Sequence, residues 1–139
     1  MTFELHPNLS SKMFIADLPL CRLLLHDESQ YPWLILVPRR ANISRMMELS
    51  IGDQQQLMLE IDLAQNVLWK EFNPTQLNVA AIGNKTPQLH VHVIARYSTD
   101  PAWPGTVWDH PAQKPYSLEE KKSVIESLSR HLQDNAYRA

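Results

Sequence analysis

The chain has 139 residues, a formal net charge of -2, 44% hydrophobic and 20% charged residues. That composition suits one ordinary globular domain spanning 1–139, and gives no electrostatic reason to expect binding to nucleic acid or to a membrane surface. No apolar run approaches the roughly 18–20 residues of a membrane span, residues 1–8 lack the pattern of a secretory signal, and the single cysteine, Cys21, excludes an internal disulfide. A cytoplasmic location is therefore expected.

Taken in order, the chain predicts a turn or short helix near 7–11 and then an extended segment. Cys21–Leu25 is almost continuously apolar and reads as a strand, followed by a polar connection, His26–Gln30. Trp33–Val37 is a second apolar run between Pro32 and Pro38, whose missing donors suit strand ends. Ser44–Leu49 predicts a helical turn that offers Ile43, Met46, Met47 and Leu49 for burial. A long helix is expected over about Asp53–Phe72, with Asp53 and Gln56 spaced as a capping box and Leu57, Ile61, Ala64 and Leu68 on one face. Pro74 ends it.

Strands are then expected over Gln76–Ile82 and about 88–96. Tyr97–Tyr116 holds four prolines and two tryptophans, a composition of a long functional loop rather than of disorder. Ser117–Glu120 is a second capping box. Leu118, Val124, Ile125, Leu128 and Leu132 form the apolar face of a closing helix. The order of elements predicts an α+β fold with a mostly antiparallel sheet, one long helix and a C-terminal helix.

The informative stretch is Gln88-Leu89-His90-Val91-His92-Val93-Ile94. On a strand, successive side chains point to opposite faces, so Leu89, Val91 and Val93 would be buried while Gln88, His90 and His92 share the other face. A neutral imidazole can act as nucleophile, base or metal ligand. A catalytic zinc would need a third ligand, from His26, His110 or a carboxylate, and nothing in the sequence places one. Two partly exposed histidines in an ordinary strand remain the plain alternative.

This stretch resembles the His-φ-His-φ-His-φ-φ signature of the histidine triad (HIT) superfamily of nucleotide hydrolases and transferases, with Gln88 in place of the first histidine. Asn78 with Gly83-Asn84, the Trp33–Arg40 strand and Trp103-Pro104-Gly105 resemble its flanking segments. The likeness spans roughly residues 20–108 and is nearest to bacterial HIT proteins of this length.

The resemblance implies the α+β fold, a homodimer, and attack by His90 on the α-phosphorus of a dinucleoside polyphosphate or nucleoside phosphoramidate. The covalent nucleotidyl-histidine is then hydrolysed, and neither metal nor cofactor is required. His92 would donate to the α-phosphate or bridging atom, and Gln88 would take the first histidine's place without titrating. Asn84 and Lys85 match positions that meet phosphate oxygens, and Asn78 belongs to the approach to the motif. Either His26 or Asp27 would hold the ribose hydroxyls. Leu24, Leu34 and Leu36 are candidates for a base pocket or for plain core. Arg39 and Arg40 are candidates for a phosphate contact or a solvated strand end. Arg96 resembles the family's basic residue there or forms a structural ion pair, and Trp103 and Trp108 are candidates for a lid or a dimer contact. A nucleotide-binding or regulatory module with lost or minimal catalysis is the alternative function, and a His-ligated metal protein is a third.

Overall fold

The computed structural model describes residues 2–135. Five antiparallel strands form one sheet in the order β1-β2-β3-β5-β4: β1 Met13–Asp17, β2 Cys21–Leu25, β3 Trp33–Pro38, β4 Gln76–Ala80 and β5 Val91–Arg96. A helical turn, α1 (Pro7–Ser10), precedes β1, the long helix α2 spans Ile51–Phe72, and α3 spans Leu118–Asn135. This is the α+β, mostly antiparallel architecture that the sequence predicts. None of the described helices is long and apolar enough to cross a membrane.

Strand alternation divides the core in two. Leu23, Leu25, Leu34, Leu36, Val91, Val93 and Ala95 face α2 and α3, where Leu57, Ile61, Ala64, Leu68, Leu128 and Leu132 cover them. The opposite face carries Leu24, Trp33, Ile35, Val37 and Ile94, packed on Leu9, Tyr31 and Val107. Burial of the first face by two helices is the main hydrophobic contribution to the fold, at about 25 cal/mol per Å² of apolar surface. The second face is covered only by short irregular segments, which leaves room there for a pocket.

Several boundaries differ from the expectation. The long helix starts two residues early because Ser50, not Asp53, caps it: its hydroxyl accepts from the Asp53 amide at 3.1 Å. Asp53 instead pairs with Arg40 at 2.7 Å, and Gln56 donates to buried Glu60 at 2.7 Å. Glu60 in turn holds the Leu20 and Cys21 amides, fixing the start of β2 against α2. The helix ends at Asn73, whose φ of 46° closes it in the left-handed region just before Pro74. The turn expected near Ser44–Leu49 is a 3-10 turn at Met46–Glu48, but Met46 and Met47 are exposed and only Leu49 is fully buried. The Ser117 capping box forms as expected, with Ser117 and Glu120 exchanging both bonds.

Candidate functional site

β5 begins at Val91, so Gln88, Leu89 and His90 lie in its approach rather than in the ladder. Alternation nevertheless holds through the junction. Leu89 enters the helical core while His90 and His92 turn to the other face, 6% and 8% exposed. His92 is cross-strand partner to Ile35 on one side and Ala80 on the other. Trp33 is paired with Ile94 and so sits diagonally from His92, close enough for side chains to meet.

The two imidazoles are held in complementary tautomers. Trp33 Nε1, a donor only, lies 2.9 Å from His92 Nδ1, so that nitrogen accepts and the ring proton is on Nε2. His90 Nδ1 lies 2.7 Å from the Gln88 carbonyl, which can only accept; Nδ1 therefore carries the proton and the lone pair is on Nε2. His92 thus offers a donor and His90 a nucleophilic lone pair, with the ring centroids 5.0 Å apart. Burial is the largest influence on His92 and lowers its pKa to about 3, with further lowering from His90, His26 and Lys12. Its imidazole is neutral at physiological pH.

Around this pair lies a cavity of about 950 Å³, lined among others by Lys12, His26, Tyr31, Trp33, Asn84, Lys85, Thr86 and Trp108. A second cavity of about 410 Å³, beside Ser44, Arg45 and Met46, shares Asn84 and His90 with it. His26, Trp33, His92 and His90 form a row of edge-to-face contacts, with centroids 4.5, 5.6 and 5.0 Å apart along it. Trp108 closes over the row from a 3-10 turn at Val107–Asp109, with centroids 5.5 Å from Trp33 and 5.1 Å from His92. Of the two tryptophans in the long loop, this one lids the site.

The remaining expectations divide. His26, His90, His92, Asn84 and Lys85 come together at the pocket, whereas Gln88, Asp27 and Asn78 do not line it. The Gln88 amide turns to the N-terminal segment: its Oε1 accepts from the His6 amide at 2.8 Å, and its Nε2 donates to the Glu4 carbonyl at 2.8 Å. Both ends of the amide expected in the first histidine's place are thereby occupied by backbone. Asp27 receives the Tyr116 amide at 3.0 Å and pairs with Lys121 at 3.4 Å, tying the loop before α3 to the sheet. His26, not Asp27, faces the cavity. Burial lowers its pKa to about 4, with Lys12 the next cause, and its Nδ1 has no hydrogen-bond partner.

Asn78 accepts from Arg96 Nη1 at 2.9 Å, and Arg96 is clasped by Asp100 through Nε and Nη2. Both members of that ion pair are 2% exposed, and Arg96 lies against the Tyr31 and Trp103 rings. Asp100 further accepts the Tyr97, Ala102 and Trp103 amides, so the cluster fixes the root of the loop that carries Trp108. Arg39 donates to the Leu18 carbonyl, which leaves both arginines that end β3 in structural contacts. Leu34 and Leu36 belong to the helical core and Leu24 packs under Leu9; none lines the pocket.

Sequence reasoning missed Lys12, Tyr31, Glu28 and Thr86 as pocket-lining residues. Thr86 sits inside the motif approach and accepts from Asn8 Nδ2 at 3.0 Å. Among the described residues Glu28 is the single carboxylate in the lining, and it is held by the Gln30 and Lys114 amides. Among the described residues no group of three or more His, Cys, Asp or Glu side chains is arranged to hold a metal ion.

With this geometry in place, comparison with known proteins gives the family. The HIT domain profile matches residues 8–99, more than half of the chain. The fold is similar to a histidine triad protein of Bradyrhizobium japonicum, with 38% identity, TM-score 0.92, and coverage of 95% of this chain and 99% of that one. It is equally similar to a histidine triad protein of Marinobacter aquaeolei, at 38% identity and TM-score 0.92, covering 96% and 98%. A diadenosine triphosphate hydrolase of Plasmodium falciparum, solved with Cyclomarin A, shares the fold at 13% identity and TM-score 0.66, covering 95% and 81%. No curated protein sequence matches the chain. The chain belongs to the HIT family, and is most simply described as a bacterial-type histidine triad protein whose first triad position is Gln88.

Proposed function

We propose that this protein hydrolyses or transfers a nucleotidyl group, acting at the α-phosphate of a dinucleoside polyphosphate or nucleoside phosphoramidate through His90. The observation that carries the reading is the pair of opposed tautomers. With Nδ1 anchored on the Gln88 carbonyl, His90 presents its Nε2 lone pair to the cavity. That nitrogen forms the bond to phosphorus as the bond to the leaving group breaks. In the resulting N-phosphoryl imidazolium, neutral imidazole is a good leaving group in its turn. Water then attacks phosphorus, the P–N bond breaks, the electron pair returns to Nε2, and the water's excess proton is released to solvent.

His92, neutral and with its proton on Nε2, is a donor for a phosphoryl oxygen or the bridging atom. A preorganised donor stabilises developing charge without reorganising. Asn84, which borders the smaller cavity with His90, and Lys85, in the lining of the larger one, supply further donors. His26 takes the ribose position in this reading, since Asp27 is committed to the Tyr116 amide and Lys121. The homodimer implied by the family belongs to the same proposal: β4 is an edge strand and leaves Val79 exposed on it.

The experiment is to incubate the purified protein, without added metal, with diadenosine polyphosphate and with adenosine phosphoramidate, and to measure nucleoside monophosphate release. Turnover of either substrate that disappears in His90→Ala supports the proposal. A second reading, nucleotide binding with minimal catalysis, draws support from the Gln88 amide being engaged by backbone rather than free for phosphate. Under it, purine nucleotide raises the melting temperature by mass action while no product accumulates.

A further inference from the structure

The Lys12 side chain lines the cavity, is half-buried, and has no hydrogen bond or ion pair among the described residues. Its position follows from the register of the edge hairpin. Met13 is paired with Leu25 across β1 and β2, so one step further along the pair places Lys12 opposite His26. Cross-strand neighbours share a face, and His26 is on the pocket face. The helical turn before β1 fixes the backbone there, with the Lys12 amide donating to the Leu9 carbonyl at 3.0 Å.

Besides burial, the charge of Lys12 lowers the pKa of His26 beside it and, more weakly placed among the causes, that of His92 further along the row. Burial lowers the pKa of Lys12 itself, as expected for a cation removed from water without a partner. Among the described residues the only carboxylate lining the cavity, Glu28, already accepts the Gln30 and Lys114 amides. Asn84 lies at the other end, where it borders the smaller cavity together with His90. Lys12 is therefore a cation at the His26 end of the pocket, with the Trp33–His92 contact between it and His90.

We propose that Lys12, beside His26, forms an anion subsite that takes a second phosphoryl group of the same nucleotide whose α-phosphate meets His90. This rests on the nucleotide reading above and adds to it a preference for ligands with more than one phosphoryl group. An unpaired, half-desolvated ammonium gains more from an anion than a solvated one does, because the cost of its burial has already been met by the fold. The second phosphoryl comes either from the ribose, which the His26 position favours, or from a polyphosphate chain folded back along the pocket.

The test is calorimetric titration of the wild-type protein, Lys12→Gln and Lys12→Arg. The three ligands are AMP, an adenosine bisphosphate with its second phosphoryl on the ribose, and the methylene analogue of ADP. The wild-type protein should bind at least one of the two diphosphorylated ligands about tenfold more tightly than AMP, the scale of one charge-assisted contact. Lys12→Gln should erase that preference while keeping AMP affinity within about twofold, and Lys12→Arg should retain it. Whichever ligand is preferred identifies the source of the phosphoryl group. A preference that survives Lys12→Gln, or a variant that loses AMP as strongly as the others, overturns the subsite but leaves the nucleotide reading intact. No binding of any of the three ligands to the wild-type protein overturns both.

Discussion

Trp33 donates its indole proton to Nδ1 of His92 across 2.9 Å, and this one bond decides which nitrogen of the second motif histidine faces the pocket with a proton. An aromatic residue on β3 thereby sets the chemistry of an imidazole on β5. Trp33→Phe keeps most of the ring's packing but removes the donor, leaving Nδ1 unsatisfied and the tautomer free to change. The expected result is a fall in kcat of roughly ten- to a hundredfold with a smaller change in KM. Steady-state kinetics on the substrate that the wild-type protein turns over checks it; equal kcat in the variant would show that the tautomer of His92 does not matter.

The buried imidazoles give the fold a pH dependence of definite sign. Both His26, at about 4, and His92, at about 3, have native pKa values below that of an exposed histidine, about 6.5. The unfolded chain therefore binds more protons than the native one as pH falls below about 6.5, and stability is lost progressively from there toward 4. Asp17 and Asp100, whose carboxyls are also lowered, add their loss only below the ordinary carboxylate range. Thermal melts between pH 7 and 4 should show a steady decline that His26→Asn makes shallower. A flat profile over that window would contradict the buried, neutral state of these rings.

Gln88 predicts a different phenotype from that of a catalytic group. Its amide bridges the Glu4 carbonyl and the His6 amide, as a neighbouring strand would, and Asn8 completes the attachment on Thr86. Gln88→Ala should release residues 4–9, with faster amide exchange there and about 1–3 kcal/mol less stability. The pH profile of activity should keep its shape, because no titrating group is removed. Exchange unchanged at His6 would contradict the clamp.

Arg96 and Asp100 form a buried pair that shapes the root of the Trp108 loop. Asp100→Asn leaves the guanidinium unmatched in a site closed to water, and should destabilise the fold by about 3–5 kcal/mol. Denaturant unfolding measures this directly; a loss below about 1 kcal/mol would mean that the loop is held by other contacts.

How much of this was legible in the sequence depends on the range of the interaction concerned. The alternation of Leu89, Val91 and Val93 against His90 and His92 is local, and the structure keeps it even where the strand begins later than expected. The sheet and both long helices follow from equally local periodicity and caps. The Gln88 amide finds its partners 82 and 84 positions away, and Asp27 meets Tyr116 across 89. No spacing rule reaches that far. Asn78 was drawn into the site by its place near the motif, yet the guanidinium of Arg96, its neighbour across β4 and β5, claims it. Lys12 carried no motif at all. Only the β1–β2 register sets it opposite His26, and that register includes a shift between Phe14 and Ala16 that the sequence does not announce.

The central claim is that His90 Nε2 becomes covalently bonded to phosphorus during turnover. The most direct measurement is rapid acid-free quenching of the reaction with adenosine phosphoramidate or a diadenosine polyphosphate, followed by proteolysis and mass spectrometry of the peptide containing His90. The account predicts a nucleotidyl adduct on His90 that forms within the first turnover, decays as monophosphate appears, and is absent from His90→Ala. Undiminished turnover in His90→Ala, or an adduct on another side chain, would contradict it.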